Sequence, residues 1–229
     1  MTTEFTRRTI LKQFTGVAAG AALVSGAGAL LAPATAVAAD TTWRGSTSAN
    51  GWGIPDAPSA LTGPCDIQGT DLTVVLRVGD AATVLAHVAQ RFHYDVDRLE
   101  RGRGEIVGLR ADRDVTADYV SNHLSGTALA LYPENYPLGV TGNFFPHQVT
   151  AIRDILAELE GVVKWGGDMS PASEATFFID VPPGSRKLGQ VAAKLREWQV
   201  TPGKGAGTQN VQDPQRLKAS KALARVQKA

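Results

Sequence analysis

The 229 residues carry 23 Lys and Arg against 22 Asp and Glu, with one cysteine, Cys65, so no internal disulfide can form and the core alone must hold the fold. Arg7, Arg8 and Lys12 against Glu4 leave +2 on residues 1–39, and six cations against Asp213 leave +5 on residues 201–229. The body between, residues 40–200, therefore carries −6, which argues against a nucleic-acid binder and sets an acidic body against a basic tail.

In chain order, Thr6-Arg7-Arg8-Thr9-Ile10-Leu11-Lys12 reads as a twin-arginine export signal. An Ala/Gly-rich run from Gly16 to Ala32 follows, then a small-residue cleavage region at Ala36-Val37-Ala38-Ala39. That run falls short of the roughly 20 strongly apolar residues of a stable span, so residues 1–39 are expected to be cleaved. The expectation is a secreted or wall-associated protein with no stable membrane span. Residues 40–70, rich in Thr, Ser, Gly and Pro, predict an irregular arm anchored by Trp43 and Trp52.

The domain is expected over residues 71–200. Alternation of Leu72, Val74, Leu76 and Val78 predicts a strand. Gly79-Asp80 then opens a helix with Val84, Leu85, Val88 and Phe92 on one side. His87 and His93 on this helix are about 120° apart and do not share a face; they read as surface or boundary residues. A short strand at Glu105–Arg110 and another at Thr127–Tyr132 precede a turn-rich loop, Pro133–Pro146. Val149, Ile152, Ile155, Leu156 and Leu159 set a helical period between Pro146 and Gly161. Strands at Val162–Trp165 and Ala175–Val181 and a helix at Ser185–Trp198 complete it. Strands and helices without strict alternation predict an α+β domain with helices on an antiparallel sheet. Residues 201–229 predict a flexible basic tail in which Asp213–Lys228 has the Ala, Leu, Lys and Arg content of a short helix; the tail is read either as solvated or as a tether to anionic wall polymer or lipid headgroups.

The order Ser121-Asn122-His123, Gly126-Thr127-Ala128, Pro137-Leu138-Gly139, Gln148-Val149 and Gly161-Val162-Val163-Lys164-Trp165-Gly166-Gly167-Asp168 resembles the M15 zinc peptidases, the D-Ala-D-Ala carboxypeptidase and L-Ala-D-Glu endopeptidase group. The likeness runs over roughly residues 70–198 and implies the DD-peptidase/hedgehog-like fold. It also implies S-x-H-x-x-G-x-A-x-D, whose His and Asp bind zinc. Here His123 stands, but the Asp position is Ala130.

The family's second block, close to D-x-M-H-F-E-I, aligns with Ser173-Glu174-Ala175-Thr176-Phe177-Phe178-Ile179. Thr176 then replaces the second His and Ser173 the general base; a shift of one residue offers Glu174 as base but Phe177 as ligand. A catalytic zinc needs three protein ligands and an open position for water, whose pKa it lowers to about 7. Only His123 is retained, so no cofactor is expected. The resemblance implies Arg110 as the cleft arginine, with Ser121 and His123 as further substrate contacts and Arg110 and Glu174 as the catalytic candidates.

Three readings stand. The first is an inactive M15-like pseudoenzyme that binds peptidoglycan stem peptide or anionic cell-wall polymer. The second is an active zinc-dependent D-Ala-D-Ala carboxypeptidase or peptidoglycan endopeptidase with a non-standard metal site, built from His123, His147 and Asp168 or Glu174. The third is a partner-binding protein whose cleft is closed by Leu131, Phe177 and Phe178.

Overall fold

The computed structural model describes residues 41–56 and 61–228. The twin-arginine segment and the cleavage region lie outside the described residues. Among the described residues, two antiparallel sheets and four α-helices follow in the order β1 (Thr62–Asp66), β2 (Thr73–Arg77), α1 (Asp80–Asp95), β3 (Ile106–Val107), β4 (Ala128–Leu131), α2 (Pro146–Glu158), β5 (Val163–Trp165), β6 (Thr176–Ile179), α3 (Arg186–Val200) and α4 (Pro214–Gln227). β1 pairs with β2, and a four-stranded sheet runs β3-β4-β6-β5. The domain is α+β, with every pairing antiparallel.

Period-two alternation gives the larger sheet two different faces. Leu129, Leu131, Phe177 and Ile179 turn to the main core, where Phe177 meets Phe92 of α1 edge-on at 6.3 Å. Ala130 and Thr176, cross-strand partners, lie on the other face. α1 is the central core helix: Val84, Leu85, Val88 and Phe92 are each fully buried. Complete burial of such side chains stabilises a fold by roughly 1.5–3 kcal/mol each. α2 starts as its composition predicts, with Pro146 in the first turn and the Gln148 side chain accepting from Phe145 N–H at 2.9 Å. Gly161, at φ 79°, ends it.

Three expectations need correction. The segment 40–70 is not irregular throughout. It contains β1, and Ser48, Asn50 and Trp52 knit it to the domain: Asn50 Nδ2 donates to Thr127 Oγ1 and the Ile179 carbonyl, both at 2.8 Å, and Trp52 Nε1 donates to the Val181 carbonyl at 2.8 Å.

Nor is 201–229 a solvated tail. α4 is capped by Asp213, whose Oδ1 accepts from Gln215 and Arg216 N–H, and it packs along α2. The physical reason is a buried ionic cluster between α1, α2 and α4. Arg91, fully buried, binds Asp95, Asp154 and Glu158 at 2.6–2.8 Å, and Arg216 reaches from α4 to Asp154 and Glu158 at 2.6–2.8 Å. Two buried carboxylates on α2 need both guanidinium groups, and α4 supplies the second.

His87 belongs to the same cluster and is buried rather than at the surface: Nε2 lies 2.6 Å from Glu158 Oε1. Burial alone would raise the Glu158 pKa, but His87, Arg91 and Arg216 together pull it down to about 2.

Candidate functional site

Two glycines bring the β1–β2 hairpin against the sheet. A Cβ on Gly108 would lie 2.1 Å from the Val75 carbonyl oxygen, and one on Gly126 2.8 Å from Arg77 N. Gly126 also sits at φ 70°, which L side chains rarely adopt. The close approach lets Leu109 N–H donate to Val75 O at 2.7 Å and Arg77 N–H to Gly126 O at 2.8 Å. It also fixes the Gly108 carbonyl, which accepts from His123 Nδ1 at 2.7 Å.

His123 ends a short 3-10 turn, Asp118–His123, on the sheet face that carries Ala130 and Thr176. With Nδ1 engaged, Nε2 is the ring nitrogen left for a ligand; it has no protein partner among the described residues. Burial lowers the His123 pKa to about 4, the Gly108 carbonyl opposing and the Arg110 charge adding to the shift. At neutral pH the ring is therefore neutral. Nδ1 carries the proton and Nε2 is an acceptor.

His123, Ala130, Thr176, Ser173 and Arg110 line one cavity of about 260 Å³. They come from four separate segments, and the motif spacing is what pointed to each. Ser173 and Thr176 pair through their hydroxyls at 2.7 Å. Ala130 leaves the floor low. Arg110 sits at the mouth with its side chain 43% exposed, its nearest carboxylate, Asp112, 4.0 Å away. Its backbone N–H donates to the His123 carbonyl at 3.0 Å, which ties the guanidinium's base to the floor. Arg110 also borders a second cavity of about 210 Å³ with Ile54, Pro55 and Leu124.

Ser121 and Glu174 do not join them. Ser121 is fully buried, donates to the Asp118 carbonyl and accepts from Ala49 N–H at 2.9 Å; it holds the N-terminal arm. Glu174 accepts from Gly142 N–H, Asn143 N–H and Asn143 Nδ2 at 2.8–2.9 Å. Three donors satisfy that carboxylate and make it the clamp of the 133–146 loop rather than a base. The loop so held brings Tyr136 and Leu138 to the cavity wall, residues that turn composition alone did not single out.

The donors do not fit a zinc ion. One imidazole nitrogen, an alanine and two mutually bonded hydroxyls stand where the peptidase pattern has two His, one Asp and the acidic base. The alternative donors are dispersed. Asp168 forms a two-point ion pair with Arg153, Nη2 to Oδ1 at 2.6 Å, His147 is exposed and stacks on Phe145, and Glu174 is clamped as above. Among the described residues no group of three His, Cys, Asp or Glu side chains is disposed to hold a metal. The closed-cleft reading is not met either. Leu131 and Phe177 belong to the main core and Phe178 stacks on Tyr119 at 5.5 Å, which leaves the cavity open.

No protein-family model, curated protein or solved structure matches the chain. No helix among the described residues is long and apolar enough to cross a membrane.

Proposed function

We propose that this chain is an exported M15-peptidase-like pseudoenzyme that binds a peptidoglycan stem peptide without metal. One observation carries the reading. Positions picked out by the peptidase pattern, His123, Ala130, Ser173, Thr176 and Arg110, converge on one open cavity, and two of its three zinc-ligand positions hold residues that cannot replace the ligand. What remains there is recognition chemistry. Arg110 offers a guanidinium fork to a peptide's C-terminal carboxylate. Neutral His123 Nε2 accepts from a peptide N–H, and Ala130 leaves room for a small side chain such as that of alanine.

α4 adds a second contact, to anionic wall polymer. Lys218, Lys221 and Arg225 are exposed and fall within about 60° of one another around the helix axis. No ion pair is formed by these three among the described residues, so the ridge retains its charge. Attraction of that kind is screened by salt over roughly 8–10 Å near physiological ionic strength.

The test is retention on purified cell wall in the presence of a chelator, with metal analysis of the same protein. The reading requires binding that survives chelation and no stoichiometric zinc. Binding that appears only with zinc, or release of muropeptide products, supports an active peptidase instead.

A further inference from the structure

A separate cavity, of about 280 Å³, shares no residue with the His123 site and stands apart from the reading above. Its base is made by His87 and Gln90 of α1, which are only 3% and 4% exposed. Each brings a polar atom that the protein leaves unused. His87 Nε2 is bound to Glu158, and its Nδ1 has no partner among the described residues. Gln90 Nε2 reaches Gln68 Oε1 at a long 3.4 Å, and its Oε1 has none. Neither atom is sealed from solvent, so a ligand entering the cavity can bond them in place of water.

The walls are aromatic. Trp198 of α3 stands tilted beside the His87 ring, centroids 6.4 Å apart. Tyr94 is clamped between two glycines, since a Cβ on Gly69 would fall 2.2 Å from its hydroxyl and one on Gly207 3.1 Å from its ring. Gln199 and Gln68 bring amides to the rim, and the turn at Gly205 and Ala206 closes the side.

We propose that this cavity binds a single neutral sugar ring, whose hydroxyls bond His87 Nδ1 and Gln90 Oε1 while a ring face lies on Trp198. Gln90 Oε1 is an acceptor in every protonation state, so the ligand must bring a donor, which disfavours a simple anion. A cationic ligand is disfavoured because Glu158 is already matched by Arg91 and Arg216 and because Lys194 Nζ sits 5.4 Å from the Trp198 ring centroid. Glutamine amides at the rim both donate and accept, as a ring of hydroxyls requires. The volume lies at the small end of ligand cavities, which run from about 300 Å³ upward, and so suits one ring rather than a chain.

The experiment is calorimetric titration of the full chain with glucose and with N-acetylglucosamine, with choline and acetate as charged controls. Saturation-transfer NMR reads the same samples. One of the sugars is expected to bind weakly, with Kd of about a millimolar, and both controls are expected not to bind. Gln90→Leu keeps the volume and removes the acceptor; it should weaken the sugar by about tenfold while the melting temperature holds or rises. Trp198→Leu should weaken it similarly. No binding of either sugar, binding equal in both variants, or tighter binding of choline overturns the proposal.

Discussion

The imidazole of His123 donates from Nδ1 to the carbonyl of Gly108 at 2.7 Å, and the same glycine is the point where the β1–β2 hairpin meets the site. Packing of the hairpin and orientation of the ring are therefore one structural event. Gly108→Ala should push Val75 away, since its Cβ would lie 2.1 Å from the Val75 oxygen. The expected cost is about 2–4 kcal/mol, in line with severe overpacking, measured by chemical denaturation. Peptide binding at the His123 cavity should weaken with it.

Stability should fall on acidification in two windows. His123 titrates at about 4 in the folded protein against 6.5 in the unfolded chain, so between those values the unfolded state binds more protons. Its contribution is complete above pH 6.5 and is lost as pH falls towards 4, up to about 3 kcal/mol. Glu158, lowered from 4.5 to about 2, acts in the same direction in the lower window. Urea denaturation from pH 8 to 4 should show the first slope in the wild type and lose it in His123→Gln.

Arg216 is the bolt of the C-terminal helix. Arg216→Ala leaves Asp154 and Glu158 with Arg91 as their only arginine. Losing a partner of a buried ion pair costs about 3–5 kcal/mol; with the Arg216 side chain 24% exposed, roughly 2–3 kcal/mol is expected. Amide exchange of α4 should rise more than that of α1. Deleting residues 213–229 should destabilise the remainder by at least as much.

Ala130 and Thr176 face each other in register, with Ser173 bonded to Thr176. The triple change Ala130→Asp, Thr176→His and Ser173→Asp should therefore create zinc affinity, read by metal analysis after dialysis against free zinc. Thr176→His alone should bind far less, because catalytic zinc takes three protein ligands.

Much of this architecture is legible from side-chain periodicity. α2 declares itself through Val149, Ile152, Ile155, Leu156 and Leu159, and the expected strands around β2, β4, β5 and β6 match to within two residues at each end. β1 was not legible because Thr62-Gly63-Pro64-Cys65-Asp66 has turn composition; it is a strand only because β2 pairs with it.

The docking of α4 was hidden by its charge. Arg216 looks like a solvated cation until Asp154 and Glu158, one turn apart on α2, are seen to be buried against it. The local signals were present: Asp213-Pro214 caps the helix, and Leu217, Ser220 and Leu223 give it an inner face. In the candidate site, His123, Ala130, Thr176 and Arg110 could be found from motif spacing. Ser121 and Glu174 lie outside that cavity, because each is held by backbone N–H groups distant in sequence, at Ala49 for Ser121 and at Gly142 and Asn143 for Glu174.

The most direct measurement is calorimetric titration of chelator-treated protein with an acylated peptide ending in D-Ala-D-Ala, beside the same peptide as its C-terminal amide. The account predicts binding of the free acid without hydrolysis, and a loss of about tenfold or more both for the amide and for Arg110→Ala. Equal affinity for acid and amide, or turnover of the peptide once zinc is restored, would contradict it.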